Sequence, residues 1–125
     1  MFTNARQAYE QGAKTAVTNR QLEAAALTKC AQMLESCKRG WNDADRPDRL
    51  DEALRHNLRL WTLFQSELAR QDHEMPVELR VNLLRLSAFV DKRTFQVMAE
   101  PSPDKLQALI DINRNIAAGL STSPA

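Results

Sequence analysis

TNRQLEAAALTKCAQMLESCKRG, residues 18–40, contains no Pro and no Gly before its last position, Gly40. Thr18 followed by Gln21 fits a capping box, in which hydroxyl and amide satisfy the first free N–H groups of a helix, and Gly40 suits a left-handed C-terminal cap. The segment therefore predicts one helix. At about 100° per residue, Leu22, Ala26, Leu27, Cys30, Met33, Leu34 and Cys37 fall on one side, with Arg20, Glu23, Gln32 and Glu35 largely opposite. A stripe of that width is the face one helix lays against others.

The rest of the chain repeats this pattern. Only 3 Gly and 5 Pro punctuate 125 residues rich in Ala, Leu, Arg, Gln and Glu, all strong helix formers, so composition leans to all-α. Upstream, Phe2, Ala5, Tyr9, Ala13 and Ala16 form a thinner apolar edge containing Gly12, the expected first helix. Trp41 to Pro47 reads as a polar linker. Because a residue before proline is biased away from helix, the third helix is expected from about Asp48, with Leu50, Leu54, Asn57, Trp61, Phe64 and Leu68 as its core stripe. His73 to Pro76 forms the next break, Pro76 opening a fourth helix that runs to about Ala99. Ser102 as N-cap and Pro103 at the first helical position launch a fifth, whose inner face is Leu106, Leu109, Ile110, Asn113, Ile116, Ala117 and Leu120. The expectation is an all-α, single-domain bundle of about five helices over residues 1–120, with residues 121–125 a flexible tail.

Charge and motif content narrow the function classes. Seventeen basic against sixteen acidic side chains give a formal charge of +1, so no general field draws nucleic acid or an acidic membrane surface. Apolar runs fall well short of the ~20 residues that span a bilayer, and the opening Met1 to Arg6 lacks the basic-then-apolar order of a secretory signal, so a cytoplasmic location is expected. Cys30 and Cys37, seven apart, lie on one helical face at about 10.5 Å, beyond the ~7 Å limit between disulfide-linked Cα atoms, and read as buried thiols. His56 and His73 are scattered, leaving no metal-ligand spacing. Phosphate loops, nucleophile elbows and His-Glu-x-x-His pairs are lacking, and neighbouring acids such as Asp51 and Glu52 point about 100° apart. No enzyme, cofactor or small-molecule substrate is expected. Arg39, Arg46, Arg49, Arg55 and Arg59 could gather as a basic patch for RNA phosphates, but Asp43, Asp45, Asp48, Asp51 and Glu52 interleave with them.

Two features ask for a partner. Asn57 and Asn113 sit inside apolar stripes, where an amide must find hydrogen bonds, either within the bundle or on a bound chain. The fourth helix carries two apolar stripes. Leu79, Leu83, Leu86, Val90 and Val97 form one, and Val77, Val81, Leu84, Ala88 and Phe95 form a second on nearly the opposite side. Such a helix is either sandwiched within the bundle or has half its apolar surface free for a partner.

Three strings, ALRHNLRLWTLF (53–64), LRVNLLRLSAFVDKRT (79–94) and LIDINRNIAAGL (109–120), in this order and spacing, resemble the FlaF family of flagellar biosynthesis regulators. The likeness extends from Tyr9 to Leu120. It implies a non-enzymatic cytoplasmic factor that binds flagellin and promotes its synthesis and export, in the manner of a secretion chaperone, beside the translational repressor FlbT. The alternative it leaves is a translational regulator acting on flagellin mRNA directly or with FlbT. Asn19 stands where the family pattern often has proline, and the Trp41 to Pro47 linker is poorly fixed by the pattern, so function is not placed there. Trp61, Phe64, Phe89, Arg93, Asn113 and Arg114 match the family strings. With the second stripe, they give the expected partner-binding set: Val81, Leu84, Phe89, Arg93, Phe95, Asn113 and Arg114.

Overall fold

A helix stops where its hydrogen-bond ladder is broken, and nothing between Ala13 and Arg39 breaks it. Instead of two helices meeting at Thr18, the computed structural model has one, α1 (Phe2–Arg39), running through the segment. Gly12 alone costs only about 1 kcal/mol in a helix interior. Thr18 and Gln21 make a capping pair only where a chain turns into a helix, and here the preceding residues are helical already. Asn19 also keeps the N–H that a proline would lack. The structure describes the backbone of residues 2–70 and 75–122 and the side chains of residues 20–70 and 75–121. The apolar edge expected on Phe2 to Ala16 thus lies outside the described side chains.

Three further helices follow: α2 (Arg46–Leu68), α3 (Val77–Ala99) and α4 (Pro103–Thr122). The count among the described residues is therefore four, one fewer than expected, because the first two expected helices are fused. Pro47 does not delay α2 to Asp48. It occupies the first turn, where its missing N–H has no ladder partner to lose, behind Asp45 at the N-cap. Pro76 caps α3 from outside. α4 continues two residues into the expected tail, and residues 123–125 lie outside the description.

Residues 40–45 and 100–102 are short connections between α1 and α2 and between α3 and α4. Among the described residues α1 lies extensively along α4, α2 packs on both α1 and α3, and α3 meets α4 only lightly; α1 and α3, like α2 and α4, do not approach at the backbone level. The helices thus occupy the corners of a square bundle in chain order, with two diagonals. Side chains fix the register. Lys38 near the end of α1 donates to Gln107 near the start of α4. Arg49 donates to Ser36 Oγ at 2.6 Å, and Gln65 to Asp91 Oδ2 at 2.7 Å.

Leu27 and Leu34 of α1, Leu54 and Trp61 of α2, Val90 and Val97 of α3, and Leu106, Leu109 and Ile110 of α4 fill the centre, each at most 2% exposed. Each such side chain contributes about 1.5–3 kcal/mol by leaving water. Trp61 meets Phe64 edge-on, with centroids 5.6 Å apart. Cys30 and Cys37 are free, buried thiols in the inner stripe of α1. Leu22 and Leu79, assigned from spacing to inner stripes, are instead 62% and 48% exposed. Leu22 lies about where α4, counted back from the Lys38–Gln107 contact, has ended, and Leu79 stands in the first turn of α3, outside the stripe on Leu83, Ser87, Val90, Thr94 and Val97 that turns inward.

Candidate functional site

The buried asparagines find their partners inside the molecule. Trp61 Nε1 donates to Asn113 Oδ1 at 2.9 Å, and Asn113 Nδ2 donates to Asn57 Oδ1 at 2.7 Å. Asn57 and Asn113 are both fully enclosed. Since α2 and α4 are diagonal neighbours, this relay crosses the middle of the bundle where no backbone contact does. Asn57 Nδ2 is left without a partner. Asn113, placed in the partner-binding set from its position in a family string, has no surface to present and belongs to this internal relay.

α3 presents a different picture. Its inner face is narrow and partly polar: Ser87, Val90, Thr94 and Val97 are buried, with Thr94 Oγ1 returning a 2.7 Å hydrogen bond to the carbonyl of Val90. Its outer face is apolar and open. Val77 is 67% exposed, Phe95 55%, Val81 37% and Met98 38%. Ala88 is exposed between them and Leu84 is half-buried. The alternative of a helix sandwiched inside the bundle is thereby excluded, because α3 sits at a corner with one side against α2, a light contact to α4 and nothing over its far side among the described residues.

Of the candidate residues, Val81, Leu84 and Phe95 are brought together on this face. Phe89 is exposed too, but about 100° round the helix from Ala88, beyond Arg85 and Lys92, and so lies off this face. Arg93 is turned toward α4: its guanidinium donates to the Lys105 carbonyl at 3.3 Å, its Nε to Gln96 Oε1 at 3.1 Å, and it lies 5.3 Å from the centre of the Phe89 ring. Arg93 thus ties the end of α3 to the start of α4 and holds Phe89 by its cation-π contact. Arg114 is exposed seven residues beyond Gln107, on the flank of α4 that meets α1, and is not part of the α3 face.

Sequence reasoning passed over Met98, Arg85 and Lys92. Residues 77, 81, 84, 88, 91, 95 and 98 alternate steps of four and three, the spacing of a coiled-coil seam. Extending the stripe by one step reaches Met98, and Arg85 and Lys92 then fall together on one flank. Asp91, the seam's one polar position, is half-buried and held toward α2 by Gln65.

Part of the expected basic cluster is neutralised. Arg49 pairs with Asp43 and Asp45 at 3.6 and 3.3 Å, and Arg55 with Asp51 at 2.9 Å, so these two arginines of the expected basic cluster face acids. Arg46 stacks on Trp41, 4.2 Å from its ring centre, and donates to the Trp41 carbonyl, which orders the linker. A cleft of about 120 Å³ opens near the end of α2, lined by Phe64, Leu68, Leu83, Ile116 and Leu120. No group of three or more metal-ligating side chains occurs among the described residues, and no described helix is long and apolar enough to cross a membrane.

The sequence model of the flagellar protein FlaF family matches residues 5–120, nearly the whole chain. No curated protein and no solved structure matches it.

Proposed function

The chain belongs to the FlaF family of flagellar proteins, and on that premise we propose that it binds flagellin and promotes its synthesis and export, by association and not by catalysis. The observation that carries this reading is the open apolar face of α3. Flagellin held before export has long apolar helical segments that aggregate unless covered, and a contiguous apolar face on a rigid bundle covers such a segment by helix-to-helix packing. Val81, Leu84, Phe95 and Met98 supply the contact, and Phe89, across the Arg85–Lys92 flank, lies apart from it. Arg93 acts at the α3–α4 junction, where its bond to the Lys105 carbonyl holds the end of the helix that carries the face.

The test is direct binding with purified components. Monomeric flagellin should lose no more than about tenfold in affinity as salt rises, since rim charges are screened but apolar burial is not. Binding to flagellin mRNA with a steep salt slope, together with indifference to flagellin, would refute the proposal, because counterion release would then be the driving term.

A further inference from the structure

The outer face of α3 has more specificity than an apolar patch requires. Its 4-3 seam begins at Val77 and ends at Met98, six turns of helix with a small residue, Ala88, at the middle. Small residues at the centre allow a second backbone to come close, and bulky ones on either side, Leu84 and Phe95, then fill the spaces beside it. Charge is unevenly placed along this length. Between Glu78 and Glu100 the one acidic residue is Asp91, which is engaged with Gln65, whereas Arg85 and Lys92 project from the flank one heptad apart. Arg80 lies on the other flank, where it donates to the Arg70 carbonyl.

From this we propose that α3 is a docking seam for one amphipathic helix of another protein, whose apolar residues repeat in steps of four and three and whose flank opposite Arg85 and Lys92 is acidic. The proposal deepens the flagellin reading and rests on it for the identity of the face. Charge complementarity selects this occupant over a second copy of the chain. Antiparallel pairing of two α3 helices sets the Arg85–Lys92 flank against itself, and parallel pairing sets Arg80 against Arg85 of the other copy. Both arrangements oppose like charges. An acidic flank on the incoming helix relieves them and fixes which way round it sits, while the seam supplies the apolar burial.

Two synthetic helical peptides with the same 4-3 apolar seam, one flanked by Glu and one by Lys, test this against the full-length protein by calorimetry. At low salt the Glu peptide should bind about tenfold tighter, as two rim ion pairs provide, and the difference should shrink as salt rises. The double variant Arg85→Glu with Lys92→Glu, both exposed positions, should reverse the order of preference while leaving the helical spectrum unchanged. Equal binding of both peptides, no binding of either, or an order unaffected by the double variant overturns the proposal. So does a concentration-dependent dimer, seen by sedimentation, that Phe95→Asp dissolves. Capture of intact flagellin with both peptides ignored refutes the seam and leaves the flagellin reading standing. Discrimination between the peptides with flagellin ignored does the reverse.

Discussion

Replacing Asn113 with leucine removes both hydrogen bonds of the buried relay while keeping nearly the same volume. The Trp61 indole N–H, 2.9 Å from Asn113 Oδ1, loses its acceptor, and Asn57 Oδ1, 2.7 Å from Asn113 Nδ2, loses its donor. Both groups stay out of reach of water, because Trp61 is 2% exposed and Asn57 not at all. Each orphaned buried group costs about 1–3 kcal/mol, so the variant should lose roughly 4 kcal/mol of the ~5–15 typical of a domain. For a chain of this size that lowers the melting temperature by very roughly 15 °C. Asn57→Leu should cost less. It orphans only Asn113 Nδ2, and it removes Asn57 Nδ2, which has no partner to begin with. The double replacement should be less destabilising than the sum of the two, with a coupling of about 1–3 kcal/mol, since it puts two apolar groups in contact and leaves only the indole N–H unmet. Thermal and urea unfolding followed by circular dichroism measure all three. A single Asn113→Leu variant that melts within a few degrees of the parent, or an Asn57→Leu variant that costs more, would refute the relay as the tie between α2 and α4.

Burial pushes the Cys30 thiol from 9.0 up to about 11, with Lys29 pulling modestly the other way, and raises Cys37 likewise against the pull of Arg49 and Arg46. Both should resist alkylation at pH 8 in the folded protein and react promptly in urea, which a timed labelling experiment reads. A raised folded-state value means that the folded form holds its proton longer, so the stability from Cys30 is full below pH ~9 and is lost as pH rises toward ~11, and Cys37 acts in the same direction. Urea midpoints at pH 8 and pH 10.5 for the parent and a Cys30→Ala variant check the sign: the parent should lose more on raising pH. Arg93→Ala should free the α3–α4 junction and the Phe89 ring. Amide hydrogen exchange near residues 95–106 is expected to speed up while the melting temperature falls by only a few degrees.

The two asparagines and the two stripes of α3 were the informative anomalies in the sequence, and each had two physical outcomes that spacing alone does not separate. A buried amide is satisfied equally well by a neighbouring helix or by a partner, and only the diagonal placement of α2 and α4 puts Asn113 between Asn57 and Trp61. The second stripe of α3 is buried or open according to how many helices surround it. With five helices a sandwich is natural. Fusion of the first two into α1 leaves four, which places α3 at a corner. Thr18 and Gln21 have the residue types of a helix start, and the same residues fit equally well inside a continuing helix. Inner stripes were legible from period wherever a facing helix exists, as for Leu27, Leu34, Leu54 and Leu109. They failed at Leu22 and Leu79, near helix and bundle ends, because periodicity gives the direction of a side chain and not whether anything lies there. Arg114 shows the same limit, since a family string joins it to Asn113 while the helix turns it toward α1.

Binding through the outer face of α3 is tested by the affinity of monomeric flagellin for the protein with Phe95→Asp, set beside Leu63→Asp as a control. Phe95 and Leu63 are similarly exposed, at 55% and 63%, and Leu63 lies on α2, away from the seam. Neither change should disturb folding, which circular dichroism verifies. A carboxylate in a desolvated apolar contact is costly, so Phe95→Asp should weaken binding at least tenfold, the effect of about 1.4 kcal/mol, while Leu63→Asp leaves it unchanged. Full affinity in a folded Phe95→Asp protein, or an equal loss in both variants, would contradict the claim that α3 is the binding face.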